Sequence, residues 1–304
     1  MNKEILITIV LIIISAIIFS CDNHVTEMEP DEYAGHIGEW DSTRLQRLKS
    51  PTGWVNLAGL FWLQEGDNSI GSSVVNDLAF PRGPARIGVM NLTDGSVYFT
   101  PAEEAGIRAD GEDINATIRV FGDEPDAELL TTDSLGFFII QREERIGIRL
   151  RDYIHPRLSK LQSIDRYTPD QGWIIKASFI ESDEEIIIRV PDVLGEINEE
   201  LSPGILEFDY QGETHRLYPT GSRERLFIIF GDDTNAIETY GGGRFLSADG
   251  PGRDGFVYLD FNKAYSPPCA FSPYATCPLP PRENFLPFAV TAGEKAPDLL
   301  RSPD

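Results

Sequence analysis

Three carboxylates and two cations in the last third of the chain have the residue types of an acid–base site. Asp232 follows the apolar run 226–230, Asp260 closes the run 256–261, and Glu294 stands beside Lys295. A carboxylate so placed can act as general acid or base, and Arg244 or Lys295 can hold an anionic group. Thr234, Tyr240, Asn262, Tyr265 and Asn284 add hydroxyls and amides. Burying Asp260 at the end of an aromatic strand is costly unless a cation or several donors meet it. Arg244 and Lys295, both close to glycines, are the expected cations. Lys263, three positions on in an extended segment, is expected to point away. Asp260, Asn262, Tyr265, Arg244 and Lys295 are thus expected to line one pocket at the strand ends. The competing interpretation is an ordered connection whose polar groups only satisfy its own backbone.

The rim of that pocket is a loop with six prolines between Pro267 and Pro281. Each proline fixes φ and removes a donor, so the loop can be neither helix nor central strand, yet it can be rigid. Cys269 and Cys277 lie in it, with seven residues between them. In an exported chain two such thiols are expected to pair, which adds roughly 2–3 kcal/mol for so short a loop. Free thiols and metal ligation are the alternatives. Metal needs further ligands, and none of the four histidines is near the loop in sequence, so neither a metal nor a cofactor is expected.

Two other stretches carry charge or glycine in a suggestive arrangement. On the run 145–151, Ile146, Ile148 and Leu150 share one strand face, and Arg145, Gly147, Arg149 and Arg151 share the other, with Asp152 next. Such arginines either bind an anion bidentately or form a solvated face of weak ion pairs. The glycines in 241–243 can either cradle an anion or only make a tight turn. No G-x-S-x-G, HExxH or phosphate-loop signature occurs.

The elements that must position these residues read as mainly β. Residues 1–20 have a lysine and then an apolar run, and Ser20-Cys21 follows. This is a signal peptide with a loose lipobox, which implies cleavage before Cys21 and lipidation of its thiol. Residues 21–30 form a tether. From Asp31 to Lys49, Tyr33, Ile37, Trp40, Leu45 and Leu48 approximate one helical face, with Asp31 as cap and Pro51 past the end.

A mainly-β domain is expected over 31–295, either whole or as two β subdomains split near 155–170, with a frayed tail at 296–304. Its architecture is expected to be an antiparallel sandwich or partly open barrel, with one N-terminal helix and the long proline-rich loop. Asp67-Asn68 and Gly71 read as turns, 137–140 with 146–150 as a hairpin, 173–180 with 185–190 as a strand pair, and 205–210 with 214–218 as another.

The C-terminal third resembles the bacterial family of domain of unknown function 1684. The residues that carry the resemblance are Asp232 and Thr234, Glu238-Thr239-Tyr240, Gly243-Arg244-Phe245-Leu246, Leu259 to Tyr265, Pro267-Pro268-Cys269-Ala270, Cys277 to Pro281, Glu283-Asn284 and Gly293-Glu294-Lys295. Upstream, Gly53-Trp54, Leu57 to Leu63 and Arg149 to Asp152 fit as well, so the likeness covers roughly residues 50–295. Ser266 and Phe285 depart from it, where asparagine and a more polar residue are usual. The family brings no activity to transfer; the resemblance implies that these polar residues form one shared site.

Lys+Arg number 26 against 49 Asp+Glu, a formal charge of −23. Removing Lys3 and Glu4 with the leader leaves that unchanged, and such a surface disfavours nucleic acid and anionic lipid. The expected protein is a cell-envelope lipoprotein, on a bacterial membrane through its lipid only, that binds a small ligand, anionic or neutral, near Asp260. The alternatives are a hydrolase using the same carboxylates and an interaction module for an envelope partner.

Overall fold

The computed structural model describes residues 28–182 and 184–300. The expected leader, Cys21, most of the tether and residues 301–304 of the tail lie outside these residues. Helix α1 spans Pro30–Lys49, and Pro30 opens it because that position has no partner for an N–H anyway. Asp31 does not cap it. It sits inside the first turn with Glu32, where it faces the positive end of the helix dipole. Tyr33, Ile37 and Leu48 are buried, and the helix covers the β structure with that side.

The N-terminal half is built of β1 (Leu57–Trp62), β2 (Gly66–Gly71), β3 (Leu78–Ala79), β4 (Gly88–Thr93), β5 (Ser96–Pro101), β6 (Arg108–Ala109), β7 (Glu112–Asp113), β8 (Ile118–Phe121), β9 (Leu130–Thr132), β10 (Leu135–Arg142) and β11 (Arg145–Asp152). These form two sheets, in the orders β1-β11-β10-β9-β6-β7 and β3-β2-β4-β5-β8. Both contribute to one core around Ile70, Met90, Phe99, Phe137, Ile148 and Leu150. Phe99 and Phe137 meet edge to face across it, with centroids 6.0 Å apart.

The C-terminal half follows a short α2 (Arg157–Lys160). Its strands are β12 (Ile174–Ile180), β13 (Ile186–Pro191), β14 (Ile197–Ser202), β15 (Ile205–Tyr210), β16 (Glu213–Leu217), β17 (Thr220–Gly221), β18 (Arg225–Phe230), β19 (Arg244–Asp249) and β20 (Phe256–Asp260). They pair as β16-β15-β12-β20, β17-β18-β19 and β13-β14. A second core gathers Leu206, Leu226, Phe230, Leu246, Leu259 and Phe261. A third cluster, of Leu48, Val55, Leu161, Ala270, Phe271 and Leu299, ties α1 and the C-terminal loop to the start of the β structure.

The architecture is the mainly antiparallel one expected, with one long helix near the N-terminus and no sheet among the described residues closed into a barrel. Three local expectations are corrected. Residues 66–71 are strand, not turn, because Asn68 spends its polar side chain on the carbonyls of Gln64, Gly66 and Met90 and is buried. Strand β12 does not pair with β13. It lies between β15 and β20, which the chain reaches only later, while β13 pairs with the acidic β14. The tail does not fray from Ala296: Asp298–Leu300 makes a 3₁₀ turn and Leu299 is buried.

Candidate ligand-binding cleft and the buried charge networks

Strand β20 delivers Asp260, and the chain then tightens into a 3₁₀ turn over Phe261–Lys263. Asp260 accepts from Asn262 N at 3.2 Å and Asn262 Nδ2 at 3.1 Å. It also accepts from the Tyr33 hydroxyl of α1 at 2.7 Å. Burial, then the adjacent Asp260 carboxylate, push the Tyr33 hydroxyl well above its ordinary value. Lys263 does not point away: its Nζ lies 3.2 Å from Asp260 Oδ2. A 3₁₀ turn has three residues per turn, so positions i and i+3 eclipse where an extended segment would separate them.

The other expected site residues fall into separate networks. Arg244 on β19 is wholly buried and donates to Asp232 Oδ2 and the Val290 carbonyl, each at 2.8 Å, and to the Ala292 carbonyl. Asp232 Oδ1 accepts from Thr234 N, Thr234 Oγ1 and Val290 N, so both its oxygens are used. Gly243 makes this approach possible. It has φ +79°, and a Cβ there would stand 2.6 Å from the Phe230 carbonyl oxygen. The 241–243 glycines thus shape a turn, with Gly243 N donating back to Tyr240 O. Tyr240 is half-buried, and burial raises its hydroxyl pKa.

Asn284 is pinned on the backbone of Tyr218 and Ile229, and Asn262 on Asp170. Glu294, wholly buried, accepts from Arg44 Nε at 2.5 Å and from Ser266 N at 2.8 Å. Lys295 pairs with Glu238 at the surface and lies over the Tyr167 ring. Asp152 takes Arg82 at 3.1 Å and the Ser134 hydroxyl. Asp260, Asn262, Tyr265, Arg244 and Lys295 therefore do not line one pocket. Most of these polar groups answer each other or the backbone of an irregular loop, which water cannot reach to satisfy.

Tyr265 is the exception. It forms part of a cleft of about 780 Å³ between α1 and the strands β18 and β19. Trp40, Trp54, Phe227 and Phe245 supply the apolar wall with it. Arg44, Arg47, Arg225, Lys263 and His36 supply positive or titratable groups, and Glu39 is the one carboxylate of the lining. Arg44 is held by Glu294 and stacks 4.5 Å over the Tyr265 ring. Arg47 and Arg225 are exposed and have no ion pair among the described residues. Burial raises the Tyr265 hydroxyl. Sequence reasoning missed Arg44, Arg47 and Trp40 as cleft residues; the signal was a helix carrying two arginines and a tryptophan beside its apolar side.

The arginine strand face is also corrected. Arg149 and Arg151 are not solvated but 4% and 8% exposed. The loop over them is closed by the Cys269–Cys277 disulfide, with Cα atoms 6.1 Å apart. Among the described residues no group of three His, Cys, Asp or Glu is placed to hold a metal ion.

Residues 159–295 match the family model described as protein of unknown function (DUF1684). The resemblance expected from the DFN, AY and PPC residues therefore holds over that segment, which contains both the Asp232–Arg244 network and the wall formed by β18, β19 and Tyr265. The solution NMR structure of an uncharacterized protein of Haloarcula marismortui is 30% identical, with 48% of this chain and 82% of that one covered and a TM-score of 0.40. No curated protein matches the chain.

Proposed function

We propose that this chain is a cell-envelope lipoprotein that binds a small anionic ligand with a flat apolar body in the cleft under α1. The observation that carries this reading is the reversal of charge there. In a chain of net charge −23, Arg44 and Lys263 at this cleft are paired with Glu294 and Asp260, which leaves Arg47 and Arg225 against the single lining carboxylate Glu39, beside five aromatic rings. Guanidinium and ammonium groups attract an anion, and aromatic walls bury its apolar part. Lys263 and Tyr265 keep the cleft next to Asp260, whose own carboxylate holds α1 through Tyr33. The hydrolase alternative is weaker, because Asp232 and Glu294 are fully buried in ion pairs rather than open to a substrate.

The test is quenching or shift of tryptophan fluorescence on titration with anilinonaphthalene sulfonate, an aromatic anion. Saturable binding that weakens in Arg47→Glu and Arg225→Glu supports the reading; equal binding of an uncharged aromatic analogue, or no effect of charge reversal, overturns it. The anchor is tested separately: Cys21→Ala should move the protein from the membrane to the soluble fraction.

A further inference from the structure

We infer that the face of β10 and β11 beneath the disulfide loop is a second anion site, for a phosphate-type oxyanion, built on Arg149, Arg142 and Thr276. This goes beyond the cleft and stands whether or not the cleft binds anything.

The register puts four arginines on one sheet face. Arg142 lies opposite Arg145, Phe138 opposite Arg149, and Gly136 opposite Arg151, so Arg142, Arg145, Arg149 and Arg151 all project to the same side. Arg145 is accounted for by the Trp62 ring, 3.9 Å away. Arg151 is held by the Gly53 carbonyl and by Asn56 Oδ1 at 2.8 Å. Arg149 is different. It is 4% exposed and lies over the Trp54 ring at 5.8 Å, but its Nε is sealed from water without a hydrogen-bond partner and its Nη2 donates only to the Thr276 hydroxyl, at 3.3 Å. Arg142 Nε donates to that same hydroxyl at 2.9 Å. Two guanidiniums thus converge on one neutral oxygen.

No carboxylate among the described residues pairs with Arg142 or Arg149, although the chain holds 49 acidic residues. Burial, with the like charges of Arg142 and Arg151, pushes the Arg149 guanidinium down to about 10, so it remains a cation at neutral pH. A buried cation without a counter-charge is among the more expensive arrangements a fold can keep. An oxyanion removes that cost. Thr276 accepts from both arginines, so its own O–H is free to donate, and among the described residues nothing accepts it. Three donors from three segments, Arg142 on β10, Arg149 on β11 and Thr276 on the loop, approach from different directions, which suits a tetrahedral oxyanion better than a planar carboxylate. The site is reachable because Arg142 is exposed and Thr276 half-exposed. Its cover is the loop stapled by Cys269 and Cys277, whose sulfurs pack with Leu57 and Ala275 on this face.

The experiment titrates the purified full chain with inorganic phosphate at constant ionic strength, with chloride as the control and acetate as the planar competitor, reading heat of binding and Tm. Phosphate is expected to bind saturably and raise Tm. In Arg149→Met and in Thr276→Val the affinity should fall by about tenfold or more. Thr276 is only half-buried, so its variant tests the site without altering the packing of the buried strand face. Binding of acetate as tight as that of phosphate overturns the assignment to a phosphate-type oxyanion. Absence of saturable binding by either anion, or unchanged affinity in Thr276→Val, overturns the proposal.

Discussion

Arg244 and Arg149 are both buried arginines on β-strands, and the fold surrounds them in opposite ways. Arg244 has a carboxylate and two carbonyls within reach, and the carboxylate is itself saturated by three further donors. Arg149 has a shared hydroxyl, the Trp54 ring and two like charges nearby; both arginines leave Nε buried without a partner, so the carboxylate is what differs. A compensated pair stabilises only as a pair, and breaking it strands one charge; an uncompensated cation is kept at a loss unless something from outside completes it. The contrast separates an arginine that serves the fold from one that serves a ligand, a distinction that burial alone does not make.

The sharpest way to break the comparison is to remove one partner of the first pair. Arg244→Met strands Asp232 and should cost about 3–5 kcal/mol in urea unfolding. A cost under 1 kcal/mol would place Arg244 with Arg149 and dissolve the contrast. Next in size, Cys269→Ala with Cys277→Ala releases the loop that covers Arg149. It should cost about 2–3 kcal/mol by the loop-closure argument, and the loss should match that of wild-type protein under reductant.

A smaller effect is expected at Tyr33, where Tyr33→Phe removes one hydrogen bond to Asp260 and should cost about 1 kcal/mol. Its pH dependence has a definite sign. The folded tyrosine has its pKa raised, so its contribution is complete below its ordinary value of about 10 and is lost as pH climbs from there toward the folded value. Wild type should therefore lose stability above about pH 10 more steeply than Tyr33→Phe. The smallest effect is the most informative: Arg149→Met, without added anion, should be neutral or stabilise by up to about 1 kcal/mol, the opposite of Arg244→Met.

Much of the scaffold was legible because it is local. The hairpin of β10 and β11 turns at Glu143-Glu144 as the alternation from Phe137 to Leu150 implies, and β15 with β16 follows the same logic. Strand β12 was assigned the wrong neighbour because its partners, β15 and β20, are chosen by core packing around Ala177 and Leu259, which no local pattern reveals. Strand β14, INEELS, is too polar and exposed to read as strand until β13 lies beside it. The site was legible only in part. The polar residues of 232–295 were recognised as a group, yet sequence cannot distinguish groups facing a ligand from groups facing one another, and Asp232, Asn262, Asn284 and Glu294 are of the second kind. The cleft depends on α1, whose arginines gain meaning only from what they dock against.

That docking has a consequence in time. The hydroxyl of Tyr33 meets a carboxylate 227 positions later, and Arg44 meets one 250 positions later. The helix nearest the N-terminus among the described residues is thus among the last elements that can be seated. Until residue 294 is available, Tyr33, Ile37 and Leu48 have no complete surface to close on, and contacts across such separations are slow to form. The chain must carry the apolar side of this helix, with Tyr33, Ile37 and Leu48, uncovered through most of its folding, so conditions that delay completion of the C-terminal third should show first as aggregation through that side.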